Sequence, residues 1–295
     1  MRLTPLLAST FRSDGGTMFG LVPRALWEKK IQPDQRHTIP QHAHVFLVEL
    51  ADGRRGLVDT GCGSAERFED RERALSGLGP GWPLLENLKA LGVAPEDIAF
   101  VVFTHLHWDH GGGAVAPASW GRALTFPRAL HFIHALEWQD ATSGDPLLYK
   151  SYPPAITTAL RTADLQLVKE DDAEILPGLR LLRTSGHTRG HCAVWFQPAS
   201  LHLVHPAVTP DTPHHGFLLA GDVCPSQHNL RMVFQTSYDT YPLHTRAWKR
   251  TWLPRLASER IGLLFDHDPD LLGAFIRPDP REEFAVETPL PFPAP

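Results

Sequence analysis

The chain predicts a mixed α/β (α+β) fold, on three observations. Short apolar runs rich in β-branched and aromatic residues recur along the length, as strands do. Segments with apolar residues at helical spacing lie between some of them. Several of the runs end on a histidine or an aspartate, so polar groups gather at strand ends. The chain has 295 residues, and 21% of them are charged. A chain of this length buries about three quarters of its unfolded surface. The formal net charge is −5. With no run of Lys and Arg, that argues against a nucleic-acid surface.

Taken in order, residues 1–10 read as a first strand and Asp14–Gly20 as a turn. A short helical turn follows Pro23. His44–Leu50 is a strand, Ala51-Asp52-Gly53 has hairpin chemistry, and Arg55–Gly61 returns as the next strand. Leu84, Leu85, Leu88 and Leu91 share one helical face, and Gly92 stops that helix. Ile98–Phe103 is a buried strand, and His131–Trp138 has a mixed pattern. A helix is expected at Ala155–Arg161. Strands are expected at Leu165–Val168 and Leu179–Leu182, around the Pro177-Gly178 turn. Cys192–Phe196 and Gly216–Ala220 follow as strands, with Pro198–His215 between them as an insertion or extended hairpin. Trp248–Arg260 is a helix, and Ile261–Phe265 is the last strand. From Pro278 proline is dense and periodicity is lost, which predicts a tail over 278–295.

No apolar stretch approaches a membrane span. The N-terminal apolar run is too short for a signal peptide, so the expected location is cytoplasmic. The three cysteines are Cys62, Cys192 and Cys224. Their odd number and unpaired spacing fit reduced thiols.

The densest chemistry lies in Thr104-His105-Leu106-His107-Trp108-Asp109-His110-Gly111-Gly112-Gly113. Imidazoles and a carboxylate converging at a strand end suit a zinc-type metal. His105 and His107 are two apart, so an extended segment points them the same way. Asp109 and His110 follow as the chain turns. The glycines permit a sharp turn and close approach of backbone to a ligand. Other strands end on His187, Asp222 and His267, on supports rigid enough for a metal site. Asp59 closes the Arg55–Gly61 strand, where it can orient a histidine ligand. His37, His42, His44, His214 and His215 read as structural or surface residues. Cys62 and Cys224 read as small packing residues.

This pattern resembles the metallo-β-lactamase-fold superfamily. The His-x-His-x-Asp-His signature of that family is matched by residues 105–110. Ser185-Gly186-His187-Thr188, Gly221-Asp222, Phe265-Asp266-His267-Asp268 and Val58-Asp59-Thr60-Gly61 look like its later motifs and its strand-end motif. The resemblance implies a four-layer αβ/βα sandwich with the site at one edge between two sheets. It implies a single hydrolase domain over 1–277, followed by the tail. It also implies two divalent metal ions, zinc first and Fe, Mn or Co as alternatives. One would be held by His105, His107 and His187, the other by Asp109, His110 and His267, with Asp222 bridging. Two cations lower the pKa of a shared water enough to supply hydroxide near neutral pH. Asp109 would also be the catalytic proton carrier.

The segments Asp14–Gly20, Val22–Trp27 and Tyr238–Leu243 resemble the lactonase-like branch of this superfamily. That branch holds the quorum-quenching N-acyl-homoserine lactonases and the methyl parathion hydrolases. The implied substrate is a small molecule with an apolar portion, most directly a lactone or similar ester. An aryl phosphotriester is the main alternative, followed by a thioester or a β-lactam. A non-enzymatic binding module is disfavoured because all seven ligands are kept. The reading leaves open whether the chain works alone or as a homodimer. Met18, Phe19, Trp27, Phe132, Trp138 and Phe234 are candidate wall residues, and Phe19, in a glycine-flanked loop, is the one singled out for substrate. Some lactonases of the family carry a tyrosine three residues after the bridging aspartate. Here that position is Pro225, which leaves Tyr238 or His228 as the expected substrate-side donor.

Overall fold

The computed structural model describes residues 1–148, 152–197, 201–209 and 212–292. Its strands are β1 (Arg2–Asp14), β2 (Thr38–Glu49), β3 (Arg55–Val58), β4 (Ile98–Val102), β5 (Leu130–His134), β6 (Asp164–Val168) and β7 (Asp172–Leu176). They continue with β8 (Leu179–Arg183), β9 (Cys192–Phe196), β10 (His202–Leu203), β11 (Phe217–Leu219), β12 (Gly262–Leu264), β13 (Leu271–Asp279) and β14 (Glu283–Pro291). The α-helices are α1 (Gly15–Phe19), α2 (Arg24–Trp27), α3 (Asp70–Ser76), α4 (Pro83–Ala90), α5 (Trp108–Gly111), α6 (Ala135–Thr142), α7 (Pro154–Leu160) and α8 (Pro242–Ser258).

The strands form two seven-stranded mixed sheets, in the orders β10-β1-β2-β3-β4-β5-β6 and β14-β13-β12-β11-β9-β8-β7. Phe46, Val58, Phe100 and Val102 from the first sheet meet Leu181, Val194, Phe196, Phe217 and Leu264 from the second in one apolar layer. On the outer face of the first sheet, α4 and α7 bury Leu84, Leu88, Ile156 and Leu160 against Leu6, Val45, Leu47 and Val101. On the outer face of the second, α8 buries Leu253 and Leu256 against Leu218, Leu263 and Ile276. The result is helix, sheet, sheet, helix, the four-layer αβ/βα sandwich that the sequence resemblance implies.

This arrangement positions the site. β3 and β4 run parallel in the first sheet, as do β11 and β12 in the second. The C-terminal ends of β3, β4, β8, β11 and β12 therefore deliver Asp59, His105, His187, Asp222 and His267 to one edge of the sandwich. The β1–β2 pair is long, with its register unbroken from Ser9↔Ala43 to Asp14↔Thr38. That far end overhangs the same edge and becomes a wall of the cleft.

Three expectations need correction. Residues 278–291 are not a tail: they complete β13 and form β14, which pairs with it from Leu271↔Pro291 to Asp279↔Glu283. β14 is an edge strand, where prolines that lack an N–H are tolerated. Phe284 and Leu290 are buried there, an alternation that the proline content hid. Residues 293–295 lie outside the described residues. The Pro177-Gly178 turn joins β7 to β8, whereas β6 closes the other sheet. Asp14–Gly20 is not a plain turn, because Asp14 caps α1 by accepting from the Thr17 amide at 3.1 Å. The 198–215 insertion falls partly outside the described residues; His202–Leu203 within it pairs parallel with β1. Among the described residues, no helix is long and apolar enough to cross a membrane.

Candidate metal centre

β4 carries the chain into a fully buried Phe103-Thr104-His105-Leu106 segment before α5 begins. The glycines that follow allow a close approach, though not to a ligand. A Cβ on Gly112 would sit 2.4 Å from the Cys62 carbonyl oxygen, and one on Gly113 would sit 2.1 Å from that of Thr60. Their role is to seat the histidine loop against the turn after β3.

Asp59 lies in that turn, with φ of 59°, a left-handed conformation that aspartate tolerates. Its carboxylate accepts from the Thr104 amide at 2.8 Å and the Thr104 hydroxyl at 2.7 Å. It also lies 2.9 Å from Nδ1 of His110, which leaves Nε2 of that ring facing Asp222. The same device recurs. His187 Nδ1 is 3.0 Å from Asp239 Oδ1, and His267 Nδ1 is 2.7 Å from the His42 carbonyl oxygen.

The free ring nitrogens converge on Asp222, one set on each carboxylate oxygen. Oδ2 is 2.9 Å from His187 Nε2 and 3.8 Å from His105 Nε2. Oδ1 is 3.2 Å from His110 Nε2 and 3.1 Å from His267 Nε2. His107 Nδ1 is 3.0 Å from His187 Nε2. Two groups result, His105–His107–His187–Asp222 and His110–Asp222–Asp266–His267, with ligand atoms in each within 4.8 Å of one another.

Several of these atoms have no use without a cation. His105 Nε2 and Asp222 Oδ1 are buried without a hydrogen-bond partner. The Nε2 atoms of His110 and His267 are 3.1 Å apart, and two imidazole nitrogens at that distance must share a proton or a cation. Burial, reinforced by the neighbouring imidazoles, pushes His105 and His107 well below the ordinary histidine range. Burial acts on His187 in the same sense, but Asp222 and Asp239 outweigh it and push that ring up to about 10. Neutral imidazoles and carboxylates in this number are the donor set of divalent first-row metals, so the residues fit a dinuclear centre.

Asp109 faces the second group from the cleft side. Its Oδ2 is 3.6 Å from His267 Nε2, and the residue lines the open cleft above the two groups. That cleft has a volume of ~720 Å³. Its apolar walls are Phe11, Met18, Phe68, Leu75, Trp108 and Tyr238. Phe11 and Trp108 pack edge to face at 5.2 Å, and Phe11 meets the His267 ring at 5.5 Å. Phe19 and His228 are not in this wall. They border a separate cavity of ~10 Å³ behind it. Phe19 stacks on Trp27 at 5.5 Å and abuts Phe234, so it supports Met18, the residue of α1 that reaches the cleft.

Four buried residues escaped the sequence reading. Asp266 adjoins a recognised ligand, so its position was visible in the sequence. Asp239 accepts from His187 and from the Thr236 hydroxyl. His191 accepts the Asp222 amide on Nε2 at 3.1 Å, with its Nδ1 2.8 Å from the Thr184 hydroxyl. Glu137, on α6, accepts from the Leu106 amide at 2.9 Å and from the Thr188 hydroxyl. It thereby clamps the loops of His107 and His187 together. No local pattern marks a glutamate 31 positions from its partner.

The metallo-beta-lactamase superfamily model matches residues 38–201, more than half of the chain. An N-acyl homoserine lactonase of a Bacillus species is 31% identical over 104 residues, 35% of each chain. The chain thus spans about a third of the length of that relative. N-acyl homoserine lactonase AiiB of Agrobacterium fabrum is 27% identical over 206 residues, 66% of this chain and 65% of its own. A solved probable metal-dependent hydrolase of Staphylococcus aureus superposes with a TM-score of 0.85 at 22% identity, over 99% of this chain and 97% of that one. The dizinc quorum-quenching lactonase AidC superposes with a TM-score of 0.73 at 19% identity, over 96% of this chain and 92% of its own. These structural likenesses show the fold; the sequence match adds the family, and the chain belongs to the metallo-beta-lactamase superfamily.

Proposed function

We propose that this protein hydrolyses a neutral, largely apolar ester, most directly a lactone of the N-acyl homoserine type, with zinc as the metal. One observation carries the reading: the paired His/Asp groups open onto an apolar cleft whose other charges are already engaged. Arg12 donates to the Thr38 hydroxyl at 2.7 Å and pairs with Asp34 at 3.1 Å. Arg36 donates to the carbonyl oxygens of Ala74 and Leu75 at 2.9 and 3.1 Å. Asp14 caps α1, and Glu72 accepts the Glu69 amide at 2.9 Å. These four charges sum to zero, and each already has a hydrogen-bond or ion-pair partner within the protein. That disfavours a glutathione thioester or a β-lactam carboxylate and favours a neutral ester.

When bound, two divalent cations supply Lewis acidity and a water made nucleophilic near neutral pH. The chain supplies the rest. Asp222, fixed through its amide by His191, keeps both groups of imidazoles in register. Asp109, at the cleft face, takes a proton from the attacking water and gives it to the leaving oxygen. Trp108, Phe11 and Phe68 seat the apolar tail and exclude water. Tyr238, half-exposed in the wall, offers a hydroxyl to the substrate oxygen in place of the tyrosine that Pro225 replaces.

The test is a panel on zinc-loaded protein, comprising lactones of graded tail length, an aryl phosphotriester, a thioester and a β-lactam. Lactones should give the highest kcat/KM, rising with tail length, and Tyr238→Phe should lower kcat on them. Turnover of the phosphotriester without the lactones would replace this reading with a phosphotriesterase.

A further inference from the structure

The part of the cleft wall that carries Met18 is not held by its own element. α1 has five residues, too few for a helix that stands by itself. It hangs on the loop of residues 226–241, which runs behind it with little regular structure. The Ser237 amide donates to the Thr17 carbonyl oxygen at 2.7 Å. Gln235 passes so close to Gly20 that a Cβ there would sit 2.8 Å from its carbonyl oxygen. The tie to Met18 itself comes from Asn229, which is almost fully buried. Its Nδ2 donates to the Met18 carbonyl oxygen at 3.2 Å and to that of Phe234 at 3.3 Å, and its Oδ1 accepts from the Ser226 hydroxyl at 2.6 Å. Both amide hydrogens are engaged, so the side chain fits only one way round.

Behind Asn229 stands a lysine. Lys249, on α8, is completely buried. Its Nζ donates to the carbonyl oxygens of Asn229 at 2.6 Å, Phe234 at 2.7 Å and Arg231 at 3.4 Å, so one ammonium gathers the loop much as a bound cation would. Burying an ammonium is costly, which an apolar side chain in the same layer would avoid. Neither Lys249 nor Asn229 lines the cleft, whereas Met18 does. Together with His267, Met18 also lines the small cavity behind that wall.

We propose that Lys249 and Asn229 are positioning residues that determine specificity: they fix the backbone of Met18 through a buried relay and so set how bulky a group fits beside the metal centre. An unbranched thioether fills many shapes, so it discriminates only if its backbone is held. The relay supplies that hold from outside the cleft. Its consequence for substrates rests on the reading of the cleft as a lactone site; the relay itself does not.

The experiment compares zinc-loaded wild type with Met18→Ala, Asn229→Ala, Lys249→Met and the double variant of Met18→Ala with Asn229→Ala. The first readout is methyl NMR of the three methionines, with the Met18 signal assigned by its loss in Met18→Leu. Asn229→Ala and Lys249→Met should shift or broaden the Met18 signal and leave that of Met1 in place. The second readout is the ratio of kcat/KM for a lactone with an extra ring methyl to that for the parent lactone. Met18→Ala should raise this ratio about tenfold, the scale on which a pocket senses one carbon. Both relay variants should raise it in the same direction, and the double variant should exceed Met18→Ala by less than the single effects combined. Zinc uptake should match wild type throughout. A residue that only holds the fold would lower the melting temperature and move neither readout. An unmoved Met18 signal in the relay variants, or full additivity in the double variant, would overturn the proposal. If Lys249→Met fails to fold, Asn229→Ala decides, since it leaves the backbone acceptors of Lys249 in place; if Asn229→Ala fails to fold, that counts against the proposal. Failure of the lactone reading looks different: the Met18 signal responds as expected while no lactone is turned over.

Discussion

The floor and the rim of the cleft are built on opposite principles. On the floor, Nδ1 of His110, His187 and His267 is held by Asp59, Asp239 and a backbone carbonyl, and the loops between are clamped by Glu137 and His191. The ligands sit at strand ends under two apolar layers. On the rim, α3 buries none of its residues, and Leu75 on it is 71% exposed. Among the described residues, its side-chain hydrogen bonds to the facing β1–β2 wall come from one exposed guanidinium, that of Arg36. A preorganised floor serves chemistry, which tolerates little misplacement. On the proposed function, a weakly held rim would serve entry, exit and the accommodation of tails of different length.

The hardest blow to the floor is Asp222→Ala. Both groups lose their shared carboxylate, so bound ions should fall from two toward one, measured by elemental analysis. Activity should drop by more than the ~10–100-fold typical of losing a residue that merely supports a ligand. Two ions and an unchanged rate would dissolve the distinction between floor and rim.

Glu137→Ala comes next. It frees the Leu106 amide and the Thr188 hydroxyl while leaving every ligand in place. Zinc affinity at the His105–His107–His187 position should weaken by about 10–100-fold, the scale of an outer support. The second position, held through Asp59 and His42, should be unaffected. Equal weakening of both ions would mean that Glu137 stabilises the fold at large.

The floor was the legible part of the chain because its ligands are chemically scarce and locally dense. His105, His107 and His110 lie within six positions, and His187, Asp222 and His267 each close an apolar strand. Of their supports only Asp59, at a strand end, was legible. Asp239 meets His187 from 52 positions away, and only the folded loops bring them together. The rim was misread for a different reason. Phe19 stands in a glycine-flanked loop, which suggested exposure, but α1 turns it into the cluster of Trp27 and Phe234. Likewise proline masked the alternation of β14, since the cue that proline gives concerns hydrogen bonding and not burial.

The support beneath the floor should also be acid-sensitive. His131 on β5 is fully buried beside Phe103, and burial pushes its pKa down from 6.5 to about 4. The imidazole is therefore neutral in the folded state. As pH falls below 6.5 the unfolded chain takes up a proton that the folded chain refuses, so stability declines until about pH 4 is reached. At about pH 5 the loss from this residue is roughly 2 kcal/mol. His131→Phe should flatten that part of the pH–stability curve in chemical denaturation. A curve as steep as that of wild type would assign the acid sensitivity to other groups.

The smallest expected effect belongs to the rim. Arg36→Ala removes two guanidinium–carbonyl hydrogen bonds at the C-terminal turn of α3. Both are exposed and each is worth about 1 kcal/mol or less, so global stability should barely move. What should move is the position of α3, and with it the place of Leu75 in the cleft wall, where the proposed substrate's tail would lie. KM for long-tailed lactones should rise roughly two- to fivefold, with kcat and zinc content unchanged, while short-tailed lactones should show no difference. That split is the signature of uniform binding lost at a distance from the reacting atoms. A fall in kcat, or an equal effect on short and long tails, would mean that α3 helps to order the floor and that the two regions are one.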